Sequence, residues 1–266
     1  YGGIGAHSTV GIRFVGVLHR LAFSYFFTSL LYMNLRVRGL VIACVVILIG
    51  YWAALTFIPA TVPGFEPKEA LSGPSYAPGQ NLTNYVDYYY LPGRKWDKTW
   101  DPEGILSNIP AVASCILGVL AGLLLKNTSV PKQQKVYYLA GAGVAMVALG
   151  FLWGIQFPVI KKLWTSTYVL VAGGYSCLLL AAFYQTIDIW GYRKWATPFV
   201  WIGSNALAIY MLGRFVDFEK IARCFTGGPI EESLGNWGKL LTVTVALTLA
   251  ILVARYMYKK RVFIKV

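Results

Sequence analysis

The most constraining feature of this sequence is a succession of apolar blocks, each long enough to cross a bilayer. A spanning helix needs about 20 predominantly apolar residues. Seven blocks meet that length, at about Phe14–Met33, Gly39–Pro59, Gly104–Leu125, Val136–Ile155, Ser166–Ile187, Trp195–Leu212 and Leu240–Met257. Only 13% of the residues are charged and 57% are hydrophobic, with a mean hydropathy of +0.56. Soluble domains carry about 25% charge, so a soluble globular enzyme and a disordered chain are both excluded. The expected fold is all-α: a polytopic transmembrane helix bundle of about seven spans, forming a single transmembrane domain over 1–266. One long insert, 60–103, is rich in Pro, Gly, Tyr and Asp. It carries the sequon Asn81-Leu82-Thr83, which matters only in a eukaryotic secretory compartment.

The net charge of +13 invites a nucleic-acid reading until its distribution is considered. The short loops after the first, third and fifth blocks, with the tail, hold 12 Lys/Arg and a single acid, Asp188. The opposite side holds 11 basic and 10 acidic residues. Excess Lys/Arg marks the cytoplasmic face. The C-terminus is therefore expected in the cytoplasm, the start of the chain outside it, and the insert on the extracytoplasmic side. The partner implied is membrane lipid, not nucleic acid. The chain opens at Tyr1 without Met or a signal-peptide pattern, so preceding residues are expected. Of four Cys, three lie in apolar blocks, and no disulfide or metal framework is expected.

Polar groups within spans are costly and mark candidate sites. Arg20, Ser24 and Thr28 recur every fourth residue and share one helix face; the stripe either lines a polar cavity or lets Arg20 snorkel to the surface. His19 beside it reads as an interfacial or satisfied histidine. In Trp100-Asp101-Pro102-Glu103-Gly104, Asp101 as N-cap, Pro102 as first helical residue and Glu103 in the first turn form a helix-start signature. The alternative is that both carboxylates face a pocket. Lys161 and Lys162, beside Trp164, run against the charge bias and suit a phosphate, sulfate or carboxylate; a solvated loop is the other reading. Asn205 in Gly203-Ser204-Asn205 interrupts the sixth block and either bonds a neighbouring helix or reaches a ligand. There is no Gly-rich phosphate loop, no zinc motif and no nucleophile elbow, and His7 and His19 are the only histidines.

These segments resemble the heparan-alpha-glucosaminide N-acetyltransferase family and its bacterial homologues. Ile12-Arg-Phe-Val-Gly-Val-Leu-His-Arg-Leu-Ala-Phe-Ser-Tyr25 is similar to the family's Arg-Ile-Pro-Gly-Val-Leu-Gln-Arg-Leu segment. Trp100-Asp-Pro-Glu-Gly-Ile-Leu-Ser107 is similar to Tyr-Asp-Pro-Glu-Gly-Ile-Leu. Phe157-Pro-Val-Ile-Lys-Lys-Leu-Trp-Thr-Ser-Thr-Tyr168 resembles Pro-Val-Asn-Lys-x-Leu-Trp-Ser-x-Ser-Tyr, and Thr197–Tyr210 resembles Pro-Phe…Gly-x-Asn-x-x-x-x-Tyr. The basic tail Tyr258–Lys265 completes the order. The resemblance implies the C-terminal portion of a multi-span acyltransferase, with acetyl-CoA as donor and a sugar amine or hydroxyl as acceptor across the membrane. It places the family's catalytic His in upstream spans, in a His-x-x-Trp-Asn-Gly-like segment that neither His7 nor His19 matches; His19 stands where the family commonly has Gln. Arg20, Asp101, Glu103, Lys161, Lys162, Trp164 and Asn205 fall on motif positions as pocket or structural candidates. The competing expectation is a non-catalytic, accessory member of a larger membrane complex or homo-oligomer. The host membrane, bacterial inner or lysosome-like, gives the same charge asymmetry either way.

Overall fold

α2 (Val37–Phe57) shows how the bundle is built. Its buried residues Leu40, Cys44, Leu48, Tyr51 and Leu55 advance by three or four positions and form one seam. The seam packs on Val112, Ala113 and Ile116 of α4 (Asn108–Lys126) and on Val169 of α6 (Ser166–Tyr184). Tyr51 and Leu55 continue it into a second cluster with Phe157 and Leu163. This is a computed structural model, and it describes residues 11–65, 76–228, 231 and 234–264. The start of the chain, with His7, and the tail residue Lys265 lie outside the described residues.

The remaining helices of the first compact unit, which extends to Gln185, are α1 (Val17–Asn34), α3 (Leu82–Tyr90) and α5 (Lys132–Gly154). α1 runs parallel to α4, because Arg20 meets Asn108 near both starts and Thr28 meets Val112 one to two turns on. α5 and α6 approach closely through glycine. A Cβ on Gly174 would stand 2.7 Å from the carbonyl oxygen of Gly143, and one on Gly150 would meet Val171 and Thr167. Small residues let spanning helices exchange dense packing for the hydrophobic drive that lipid does not provide. Lys135, on the first turn of α5, is buried and donates to the carbonyl of Leu125, satisfying an orphan acceptor at the end of α4.

The second unit, Thr186–Val266, contains α7 (Thr197–Gly203), α8 (Ala206–Phe215), α9 (Phe218–Thr226) and α10 (Asn236–Lys259). Thr226 and Thr242 join α9 to α10 through their hydroxyls at 2.8 Å.

Five helical stretches among the described residues are long and apolar enough to cross a membrane: α2, α4, α5, Ser166–Ile189 and Trp237–Lys259. A helical membrane bundle is thus what the apolar blocks form, with two of the seven expected spans differing. The first block becomes α1, whose 18 residues include the polar stripe that lowers its apolarity. The sixth block is divided into α7 and α8 at Ser204 and Asn205. Among its described residues the insert carries a helix of its own, α3. Within it Asn81 caps α3, its side chain accepting from the backbone N–H of Asn84, while its Nδ2 donates to Ala77 and Asn84. The sequon asparagine is therefore buried and fully engaged, not displayed for glycosylation.

Candidate functional site

The insert folds back on the segment before α1. Arg13 forms an isolated antiparallel bridge with Gly93, and Gly93 has a positive φ and no room for a Cβ, which would stand 2.2 Å from the carbonyl oxygen of Ile12. That register aims the Arg13 side chain at the Trp100–Gly104 turn. Nε donates to Oδ2 of Asp101 (2.7 Å), and Nη2 donates to Oδ1 of Asp101 and to Oε2 of Glu103, each at 2.6 Å. The Arg13 guanidinium also lies 5.2 Å from the centre of the Trp96 ring. Asp101 accepts two further N–H bonds, from Trp96 and Glu103. The two carboxylates thus meet across a shared cation. The helix-start reading is corrected here: α4 begins at Asn108, and Asp101, Pro102 and Glu103 form a separate turn before it. Asp101 caps that turn rather than a helix, its Oδ1 accepting from the backbone N–H of Glu103 two residues on.

A second buried carboxylate lies beneath the turn. Asp87 of α3 accepts from the backbone N–H groups of Asp101 (3.3 Å) and Ile105 (2.9 Å). Gly104 leaves the space it needs, since a Cβ there would stand 1.9 Å from Oδ2 of Asp87. The two acids titrate in opposite directions. Burial pushes Asp87 from 3.8 up to about 6, against the N–H bonds that favour its charge. Burial would lift Asp101 too, but hydrogen bonds and charge from Arg13, with two backbone donors, outweigh it and hold Asp101 below the usual carboxylate range.

Arg20 sits on the same end of the bundle. It neither snorkels nor faces an open cavity; it is buried with Ser24 and Thr28 on the face that α1 turns to α4. Its guanidinium donates to Oγ of Ser107 (2.6 Å), to Oδ1 of Asn108 (3.2 Å) and to the carbonyl of Pro102. One flat side lies 4.3 Å from the centre of the Trp164 ring, a cation–π stack. Trp164 adopts a left-handed backbone, φ +53°, a conformation that costs about 1–3 kcal/mol in a non-glycine residue unless its surroundings hold it. Those surroundings are explicit. The indole N–H donates to Ser114 Oγ at 3.1 Å, and Thr165 closes the loop by accepting from Ile160 N–H and donating to the carbonyl of Pro158.

Lys161 and Lys162 lie exposed on that loop. Lys162 pairs with Asp97 of the insert at 2.8 Å. The pair stands over a cleft of about 510 Å3, whose walls include Tyr76, Trp96, Trp100 and Ile160. Asn205 belongs to the second unit. It is buried at the break between α7 and α8, and its Oδ1 accepts from the backbone N–H of Ile264, which pins the C-terminal tail. His19 is exposed.

Of the seven sequence candidates, Arg20, Asp101, Glu103 and Trp164 meet in one hydrogen-bonded and stacked assembly, with Lys162 linked to the insert through Asp97. Lys161 stands exposed beside it, and Asn205 serves a different contact. The residues that the sequence reading missed are Arg13, Asp87 and Trp96. Arg13 was the one within reach, since it opens the same motif that supplied Arg20. Asp87 lies among tyrosines, in Tyr85-Val86-Asp87-Tyr88-Tyr89-Tyr90, with no pattern to single it out.

No protein-family model matches the chain. Among curated proteins it is 25% identical to human heparan-alpha-glucosaminide N-acetyltransferase, over 305 aligned positions covering 96% of this chain and 44% of the human protein. It is 27% identical to the mouse protein of the same name, over 180 positions covering 63% of this chain and 26% of that protein. The chain thus spans less than half the length of the relatives it matches. It is a distant relative of heparan-alpha-glucosaminide N-acetyltransferase, similar over nearly all its own length to part of the human protein.

Proposed function

We propose that this chain forms the C-terminal, motif-bearing part of a membrane acyltransferase. It passes an acyl group, acetyl from acetyl-CoA, from the cytoplasmic side to a sugar amine or hydroxyl on the opposite side. The observation that carries this reading is convergence. Three motifs separated by some 80 and 60 residues place Arg13 and Arg20, Asp101 and Ser107, and Trp164 in one network at one end of the bundle. The Lys/Arg bias of the loops supports a reading in which that end lies outside the cytoplasm.

Acyl transfer needs a base to take the acceptor's proton or a nucleophile to take the acyl group, and donors for the tetrahedral oxyanion. Asp101 and Glu103 are committed to Arg13, so they shape the site and do not act as base. Arg20 supplies a fixed, desolvated cation next to them. The base then comes from elsewhere in the intact protein. Lys161 and Lys162 border the cleft and suit an acidic acceptor, while Trp96 offers a ring face to a sugar.

The test is labelled acetyl transfer from acetyl-CoA to glucosamine-terminated oligosaccharides by the full-length natural protein in proteoliposomes. Transfer across the bilayer is expected; its absence with every amino- and hydroxy-sugar tried would sink the reading. Replacing Lys161 and Lys162 together with Ala should raise the acceptor KM about tenfold with kcat little changed. An unaltered KM in the folded double variant removes the lysines from acceptor binding.

A second reading, a non-catalytic subunit of a membrane assembly, is favoured by one observation. Within the described residues Asp101 accepts four hydrogen bonds, Glu103 is paired with Arg13, and His19 is turned out of the network. A full-length protein that binds partners but transfers no acetyl group would favour it.

A further inference from the structure

The wall of α10 that faces α9 changes chemistry at the end of the helix. Phe218 and Ile221 of α9, with Leu249, Leu252, Val253 and Tyr256 of α10, line a groove of about 430 Å3. The four α10 residues stand at i, i+3, i+4 and i+7 and so form one apolar stripe. Beyond its inner end the hydroxyls of Thr226 and Thr242 join the two helices. The rest of the groove is open, with Ile221, Leu252 and Tyr256 all exposed.

The stripe continues past Tyr256 to Lys259 and Lys260, three and four residues on. These lysines and Arg261 are exposed, and none pairs with an acid among the described residues. The helix end fixes their position. Lys260 N–H donates to the carbonyl of Tyr256, that of Arg261 to Tyr258, and that of Val262 to Met257. This is a Schellman closure, made with Arg261 at φ +56° where glycine is usual. The backbone N–H of Ile264 then bonds Asn205, which holds the tail against the break between α7 and α8. Asp217, the cap of α9, is tied to the N–H of Lys220 at 3.0 Å and is outnumbered by the three cations.

α10 is of bilayer-crossing length and apolarity, so its end lies at the level of lipid headgroups. A soluble anion would use the cations and leave the apolar groove wet. A neutral lipid would fill the groove and leave the cations unmatched. A lipid with an acidic head satisfies both, its chain on the stripe and its phosphate on the lysines. From Leu249 to Lys260 the path is about 16 Å along the helix.

We propose that the groove between α9 and α10 binds one anionic phospholipid, an acyl chain lying along the stripe and the headgroup phosphate on Lys259 and Lys260. The site is independent of the acyltransferase reading, and no bond is made or broken in it.

The test uses the full-length natural protein in phosphatidylcholine nanodiscs carrying a trace of phospholipid with a diazirine in its acyl chain. Mass spectrometry after irradiation locates the crosslinks. Diazirine-phosphatidylglycerol should label the Leu249–Tyr256 segment about tenfold more than diazirine-phosphatidylcholine at the same mole fraction. Lys259→Ala combined with Lys260→Ala should remove most of that preference. It should leave the phosphatidylcholine signal and the melting temperature unchanged, because both side chains are exposed and the bonds that close the helix are backbone bonds.

Equal labelling by the two lipids, or a preference undiminished in the double variant, overturns the proposal. So does a segment that neither lipid labels, since another helix of the intact protein or a second copy then covers the groove. Loss of the preference on adding inorganic phosphate or coenzyme A at constant ionic strength marks a site for soluble anions and overturns the lipid assignment. Each outcome is read without acetyl transfer, so failure of the acyltransferase reading leaves the lipid site standing, and the reverse holds too.

Discussion

Arg13 bridges two carboxylates with one guanidinium, and its side chain is only 7% exposed while that of Asp101 is fully buried. Truncating one partner of such a pair leaves a charge with no compensation, a loss of about 3–5 kcal/mol. Arg13→Ala should therefore lower thermal stability in detergent sharply, and Arg13→Lys should recover little, because an ammonium cannot reproduce the fork. Adding Asp101→Asn to Arg13→Ala should restore part of the loss; a strictly additive double variant would show that the two residues are not coupled. The pH dependence has two opposed limbs. Asp87, raised from 3.8 to about 6, binds its proton more tightly when folded, so its contribution favours the folded state below pH 4 and is lost as pH rises through about 6. Asp101, depressed, contributes stability above the ordinary carboxylate pKa, lost as pH falls through its folded value. Stability should fall by up to about 3 kcal/mol between pH 4 and 7 on account of Asp87, and Asp87→Asn should flatten that limb in pH-resolved melting. None of this pairing was legible in the sequence. Arg13 and Asp101 are 88 positions apart, and only the register of the Arg13–Gly93 bridge brings them together.

Elements were read more faithfully than pairs, because bilayer-length apolar runs leave helix as the only way to satisfy the backbone. Their ends were set by chemistry that a hydropathy reading does not weigh. The third span starts at Asn108, four residues after Gly104, because Asp87 and Arg13 hold the intervening turn in a different shape. The α5–α6 contact was likewise hidden, since glycine counts little in a hydropathy reading. Gly174→Leu should cost about 1–3 kcal/mol by overpacking, whereas Gly141→Ala, where a Cβ meets nothing within 4 Å, should be nearly silent; detergent melting of the two variants checks it. At the start of α3, Asn81→Ala should cost about 1 kcal/mol as a lost N-cap. Expression in a eukaryotic secretory pathway should yield no endoglycosidase-sensitive mass at Asn81; a glycan there would mean that the insert opens.

For the molecule as a whole, charge bias predicts sidedness that distances within the bundle do not supply. Cysteine introduced at Lys98 or Lys161 should react with an impermeant maleimide from outside sealed cells, and cysteine at Lys259 only after permeabilisation. The reverse labelling would invert the membrane orientation and move the Arg13–Asp101 site to the cytoplasmic face. Span number was the least legible global property. It depends on whether a polar stripe such as Arg20, Ser24 and Thr28 lowers the apolarity of a helix, and on whether Ser204 and Asn205 break one, and both are decided by neighbours. The stacking of Gly104 against Asp87 also bears on divergence. At 25% identity most positions differ from the human relative, but these two are not free to drift separately. A side chain gained at 104 has nowhere to go until the acid at 87 has shrunk, and a shortened residue at 87 opens a void and leaves two backbone donors without an acceptor. Lineages that alter one should carry a matching change in the other, and swapping either residue alone between two such proteins should fail where exchanging both together succeeds.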